Sequence, residues 1–134
     1  MRIDGQCHCG HVRYEAEIDP ERVSICHCTD CQTLTGSAYR VTVLTGRGNI
    51  HQTGQAPKVY VKTGDNGGKR LQYFCPACGS PVFTTGEGRD GETWGIRWGS
   101  IRQRRHLVPR RQIWCRSALP WIDKVAGLPG RETD

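Results

Sequence analysis

Seven of the eight cysteines fall into three tight clusters, and their types and spacing bear directly on chemistry. Cys7-His8-Cys9-Gly10 reads C-x-C-G, Cys26-His27-Cys28-Thr29-Asp30-Cys31 reads C-x-C-x-x-C, and Cys75-Pro76-Ala77-Cys78-Gly79 reads C-P-x-C-G. Two thiolates separated by two residues can share one ion only across a tight turn. In the last cluster proline presets φ for that turn, and the glycine after it tolerates the backbone conformation that follows. Such a knuckle gives two ligands, and tetrahedral zinc takes four. Cys7 and Cys9, also followed by glycine, are the natural complement. The first expected site is therefore Cys7, Cys9, Cys75 and Cys78, a closed and structural zinc site that would clip the N-terminal segment to the middle of the chain.

The middle cluster differs. Cys26, Cys28 and Cys31 offer three sulfurs with no fourth cysteine nearby. Three protein ligands and one open position are what a catalytic zinc has. In an extended segment His27 points away from Cys26 and Cys28, which argues against its being a ligand. Cys115 stands alone in a strand-like stretch and reads as a buried small hydrophobe. Three other readings of the cysteines stay open at this point. They are disulfides, a single four-thiolate zinc with a redox-active or buried middle cluster, and an iron–sulfur cluster on Cys26, Cys28 and Cys31. Adjacent C-x-C pairs suit disulfides poorly, and the spacing does not match ferredoxin runs.

The elements that must position these residues read as strands. Val12, Tyr14, Ala16 and Ile18 alternate with charged residues, and Tyr39, Val41 and Val43 alternate with Arg40 and Thr42. Short runs with strand character recur at 58–62, 70–73, 94–98 and 113–116, separated by Gly- and Pro-rich turns. Helix signal is scarce. Residues 29–36 suit one or two turns capped by Thr29 or Asp30 and ended by Gly36, and 117–124 suit another turn. The expected fold is all-β with very little helix, as one zinc-binding domain over 1–127 and a flexible tail over 128–134.

Composition narrows the partners. At 134 residues and 36% hydrophobic, the chain has enough apolar material for one core and no stretch near the ~18 apolar residues of a membrane span. The N-terminal MRIDGQCHCG has no apolar signal region, so a cytoplasmic location is expected, where thiols stay reduced. The formal net charge is +6. Seven thiolates on two Zn²⁺ would lower it by three units, which weighs against nucleic acid as a partner. The basic stretch Arg102, Arg104, Arg105, His106, Arg110 and Arg111 reads as a solvated hairpin face. Gly86-x-Gly88-x-x-Gly91 has dinucleotide-binding spacing but leads into a strand pattern, so it reads as a turn. Trp94, Trp98, Trp114 and Trp121 read as core or sheet-face packing.

Several runs together resemble the glutathione-dependent formaldehyde-activating (GFA) family. They are Cys7-x-Cys9-Gly10-x-Val12-x-Tyr14, Cys26-His27-Cys28-x-x-Cys31-Gln32, Gly36-Ser37-Ala38, Phe74-Cys75-x-x-Cys78-Gly79-Ser80 and a late Trp121. The resemblance spans about residues 5–122 and includes all seven clustered cysteines in type, order and spacing. It implies a β-tent of stacked short antiparallel sheets with zinc knuckles and two zinc ions per chain. It implies a structural zinc on Cys7, Cys9, Cys75 and Cys78 and a catalytic zinc on Cys26, Cys28 and Cys31. The implied activity is that of a carbon–sulfur lyase, condensing glutathione with formaldehyde to S-(hydroxymethyl)glutathione. Fold and metal sites carry over better than substrate. Three thiolates leave zinc a weak Lewis acid, better suited to holding an incoming thiol as thiolate than to polarising a carbonyl. The rival expectation is a zinc-stabilised binding module without turnover, reaching nucleic acid or a protein through its basic stretch.

Overall fold

The computed structural model describes residues 1–134 and contains ten strands and one α-helix. The strands are β1 (Arg2–Gln6), β2 (Arg13–Glu17), β3 (Val23–Cys26), β4 (Arg40–Gly46), β5 (Ile50–Gln52), β6 (Lys58–Thr63), β7 (Lys69–Phe74), β8 (Pro81–Gly86), β9 (Thr93–Arg97) and β10 (Arg111–Ile113). The helix α1 is Thr29–Thr35, and single 3₁₀ turns join several strands. A three-stranded sheet runs β1-β2-β5, and a seven-stranded sheet runs β10-β3-β4-β9-β8-β7-β6. The expected all-β class with very little helix is what forms.

Alternation along β2 works as the sequence implies. Val12, Tyr14, Ala16 and Ile18 are buried, while Arg13, Glu15 and Glu17 face solvent. This face of the small sheet packs on Val43, Phe83 and Ile96 of the large one, and the Tyr14 and Phe83 rings meet edge-on at 4.9 Å. Phe83 is fully buried, a contribution of roughly 1.5–3 kcal/mol relative to exposure. Tyr14 keeps its hydroxyl satisfied inside the core by a 2.7 Å hydrogen bond with Ser100 Oγ.

Four strands lie outside the sequence expectation: β1, β3, β5 and β8. Residues 82–86 of β8 are all buried, so no apolar–polar alternation marks it. β1 is short, with Ile3 its only large apolar residue, and exists because it pairs with β2 from Arg2↔Glu17 to Gln6↔Arg13.

The C-terminal third also departs from expectation. Residues 102–111 do not form a hairpin face. They pass through a 3₁₀ turn at Arg104–His106, and then β10 joins β3 in parallel, the one parallel pair in the fold. Two of the arginines are tied down, Arg102 to Asp4 and Arg110 to Glu21. Arg104 lies over the Trp98 ring. Cys115 is not a buried hydrophobe in a strand. β10 stops at Ile113, Trp114 adopts φ 57°, and Cys115 starts a 3₁₀ turn with its side chain exposed. Of the tryptophans, Trp94 and Trp98 pack against the core, whereas Trp114 and Trp121 are exposed.

One glycine is required by close packing. Gly95 of β9 sits between Leu44 and Thr84 in register, and a Cβ there would lie 2.6 Å from Thr42 Cγ2 and 2.8 Å from Thr84 Cγ2. Gly95→Ala is expected to cost roughly 1–3 kcal/mol through overpacking. Urea unfolding of the metal-loaded protein measures this, and an unchanged midpoint would contradict the packing described.

Candidate metal centres and the basic cleft

The four-cysteine cluster forms where β1 runs out and β7 meets β8. Cys7 follows β1 and Cys75 follows β7, and both are buried; Cys9 and Cys78 lie at the surface. Each knuckle closes on a left-handed glycine, Gly10 at φ 81° and Gly79 at φ 78°. Turn hydrogen bonds run from Gly10 N to Cys7 O and from Gly79 N to Cys75 O. Donors face the sulfurs. Val12 N donates to Cys7 Sγ at 3.3 Å, and Ser80 Oγ lies 3.2 Å from Cys78 Sγ. His11 Nδ1 lies 2.9 Å from Cys9 Sγ, a contact the sequence reading did not find.

All four sulfurs lie within 4.8 Å of one another, with Cys7–Cys9 at 3.6 Å and Cys9–Cys75 at 3.7 Å. A zinc–sulfur bond of about 2.3 Å in a tetrahedron needs sulfurs about 3.8 Å apart, so the spacing fits the ion. The charges point the same way. Hydrogen bonds from Ser80, first its hydroxyl and then its backbone, pull the Cys78 thiol down to about 5. The backbone hydrogen bond at His11 pulls Cys9 down as well, but burial and the sulfurs of Cys7, Cys78 and Cys75 push it up to about 12. Four sulfurs this close cannot all ionise without a cation among them.

The second cluster lies at the end of β3 and the start of α1. Cys26 closes the strand. Cys28 caps the helix, its Sγ accepting from Cys31 N at 3.2 Å, so Cys28 is the cap in place of Thr29 or Asp30. The strand end, the cap and the first helical turn bring the three sulfurs within 4.8 Å of one another. The Cys31 thiol is pushed up chiefly by its hydrogen bond to Cys26, which is pulled down by the same bond. Both clusters could hold zinc. All eight cysteines are free thiols, with no disulfide in the chain.

His27 is kept away from the sulfurs, as its extended setting implied. It is 2% exposed, lies edge-on to Tyr39, and its Nε2 meets Gln112 Oε1 at 2.8 Å. Gln32 on α1 donates to the carbonyls of His27 at 2.9 Å and Ser117 at 3.1 Å. It thereby fastens the 115–117 turn against the cluster.

The three-cysteine cluster opens on a cleft of about 710 Å³ across the outer face of the large sheet. Thr42, Thr84, Gln72 and Arg97 line its floor, and Lys62, Arg70, Arg111 and Arg116 its margins. Asp30 and Asp65 are its only carboxylates, and Asp30 is held by Lys62 Nζ at 2.6 Å. A wider cavity of about 970 Å³ runs past Ile25, Val41, Trp98 and Ser100, also reaches Arg40 and Arg97, and contains none of these three cysteines.

Sequence reasoning missed Arg40 and Arg97. Alternation places both on the polar face of β4 and β9, normally the solvent face, yet they are 5% and 9% exposed. Arg40 lies directly across from Cys26 in the β3–β4 register, and Thr42 lies across from Arg97. Burial pulls Arg97 down to about 9, with Arg40 adding to the effect. Arg40 is lowered by burial and held up by the charges of Cys31, Cys28 and Cys26. The available signal was an Arg–Thr face on both strands with no acidic residue to balance it.

Gln112, on β10, is the one hydrogen-bond partner of the His27 ring, whose Nδ1 is buried without one. Gln112→Ala leaves a buried imidazole nitrogen unpaired, which costs about 1–3 kcal/mol. Thermal unfolding of the metal-loaded protein reads the loss, and faster amide exchange in β10 accompanies it.

No curated protein matches the chain. Among solved structures it resembles a Rhodobacter sphaeroides protein, with TM-score 0.62 and 18% identity over 81% of this chain and 98% of that one, a likeness of fold. Residues 2–117 match the family described as glutathione-dependent formaldehyde-activating enzyme, a span that contains both cysteine clusters and the cleft. The chain belongs to that family.

Proposed function

We propose that the protein is a zinc-dependent enzyme of the carbon–sulfur lyase type. In this reading it joins or cleaves a glutathione-type thiol and formaldehyde or another small aldehyde. It carries two zinc ions per chain, a structural one on Cys7, Cys9, Cys75 and Cys78 and a catalytic one on Cys26, Cys28 and Cys31. It works as a cytoplasmic protein, where its thiols stay reduced. The observation that carries the reading is a contrast between the two clusters. Four sulfurs close one of them, whereas three sulfurs at the other face a basic cleft of about 710 Å³, within the range of small-molecule sites.

Zinc held by Cys26, Cys28 and Cys31 would supply the acidity that keeps a thiol as thiolate near neutral pH. The chain's own residues do the rest. Lys62, Arg70, Arg111 and Arg116 give the cleft a positive margin suited to an anionic thiol such as glutathione. Ile113 and Trp114 add apolar surface to the rim of the cleft. Gln32 and the Cys28 cap fix the loop that presents the cluster, so its sulfurs are arranged before substrate arrives. The internal ties of Arg102 and Arg110 favour this reading over a module that binds through its basic stretch.

Two measurements test it. Elemental analysis is expected to give two zinc ions per chain, with one released first by chelator. Cys28→Ser should lose that labile zinc and keep the fold. Cys75→Ser should lose the other zinc and the cooperative unfolding transition, because structural zinc contributes about 10–16 kcal/mol in small domains. NMR exchange between thiol and aldehyde should then be accelerated by the wild type and not by Cys28→Ser. No acceleration for any thiol–aldehyde pair would overturn the activity, and full activity with both zincs in Cys28→Ser would overturn the site.

A further inference from the structure

Next to the cleft lies a smaller cavity of about 160 Å³, between α1 and strands β6, β7 and β8. Its walls are largely apolar, with Leu34, Tyr60, Phe74 and Phe83 among them. The only charged residues lining it are Arg40 and Arg97. Gln72 and Arg97 line both this cavity and the cleft, so the two spaces adjoin.

The two guanidinium groups are poorly satisfied for their burial. Gln72 Oε1 accepts from both, from Arg40 Nη1 at 3.2 Å and from Arg97 Nη2. Arg97 Nη1 donates to Thr42 Oγ1 at 2.9 Å. The Nε atoms of both arginines are buried and have no partner. Neither arginine belongs to any of the chain's ion pairs. Two buried cations thus have only neutral acceptors, Gln72 shared between them and Thr42 on Arg97, an arrangement that is costly unless an anion completes it.

The sulfurs supply part of that anion. Cys26, Cys28 and Cys31 all act on Arg40, and Cys31 and Cys26 act on Arg97. Three thiolates around a divalent metal carry one net negative charge, which offsets one guanidinium and leaves the other. A carboxylate matches what remains. It is planar, takes paired N–H donors from arginine, and can carry an alkyl chain along apolar walls.

We propose that Arg40 and Arg97, bridged by Gln72, form a carboxylate-binding site beside the three-cysteine cluster, and that one reactant of this enzyme carries the carboxylate received there. The inference rests on the thiol–carbonyl reading for its second half only. The carboxylate can arrive on the thiol or on the carbonyl compound, and the two sources are separable.

The test uses the full-length zinc-loaded protein, ¹⁵N-labelled, with propionate as probe and propionamide as its neutral counterpart. Propionate should shift the Nε–H resonances of Arg40 and Arg97 saturably, and propionamide should not. Gln72→Glu places a carboxylate of the chain between the two guanidiniums. It should keep its zinc, melt at a higher temperature and bind propionate about ten-fold more weakly or worse, as expected for loss of a charge-assisted pair. Arg97→Lys, which keeps the charge without the planar fork, should weaken propionate in the same direction. Equal responses to propionate and propionamide, or unchanged propionate binding in Gln72→Glu, would overturn the site.

Turnover then identifies the carrier. A preference of about ten-fold for 3-mercaptopropionate over 2-mercaptoethanol with formaldehyde puts the carboxylate on the thiol. The same preference for glyoxylate over formaldehyde with 2-mercaptoethanol puts it on the carbonyl compound. Turnover without either preference overturns the substrate half. Saturable propionate binding with no turnover of any pair upholds the site and sinks the thiol–carbonyl reading.

Discussion

At the centre of the large sheet Thr42 lies beside Arg97 and Val43 beside Ile96, and this register sets what each face of the molecule can do. With a side-chain period of two, Val43 and Ile96 enter the core against the small sheet, Thr42 and Arg97 turn to the cleft, and Arg40 turns to the small cavity beside it. The β3–β4 register extends the pattern by setting Cys26 across from Arg40. A slip of one residue would put arginines among Tyr14 and Phe83 and valines beside the cysteines. Core burial therefore holds the reactive face in place, since the free energy that resists slippage comes from the apolar side.

The two sulfur clusters serve this sheet in different ways. The knuckles after β1 and β7 join the small sheet to the large one, with Cys7 and Cys75 themselves part of the hydrophobic core. Their four sulfurs lie close enough together to hold one cation, with no ligand position left open to a further group. The second cluster makes no such bridge. Its sulfurs come from one strand end and the helix that follows, and its open side faces the cleft. A short helix serves there because a C-x-C-x-x-C run can meet at one point only if the backbone turns sharply after Cys28. The Cys28 cap makes that turn.

Electrostatics ties the face together. Burying Arg40 and Arg97 is unfavourable, and the chain offers them hydroxyl and amide partners but no carboxylate. Negative charge at the cysteines makes that burial tolerable, and the arginines in turn favour thiolate over thiol. The site and the sheet are thus coupled. The strand pairing that gives the core its packing also sets cationic groups beside sulfur, where they favour binding of a further anion.

Much of this was legible in the sequence. Fold class followed from alternation in β2, β4 and β9. Both cysteine sets followed from the close spacing within each run, the first and last runs being joined by zinc's need for four ligands. The reach of α1 followed from Gly36, which ends it at φ 62°. Other features needed the fold. β1 and β5 hold their places by pairing with β2, and β8 is buried on both faces, so none shows a local pattern. Cys115 is exposed because Trp114 turns the chain out of strand geometry, a backbone choice no residue type announces. Above all, the sequence placed Arg40 and Arg97 on the polar side of their strands but could not say that this side is covered. α1, the 115–117 turn and strands β6 and β7 enclose it from distant parts of the chain. Ligand spacing is written in neighbouring residues, so the sequence by itself marked the three cysteine runs. The environment of a charge is set by whatever folds over it, so only the tertiary structure decided that these two arginines belong to the site.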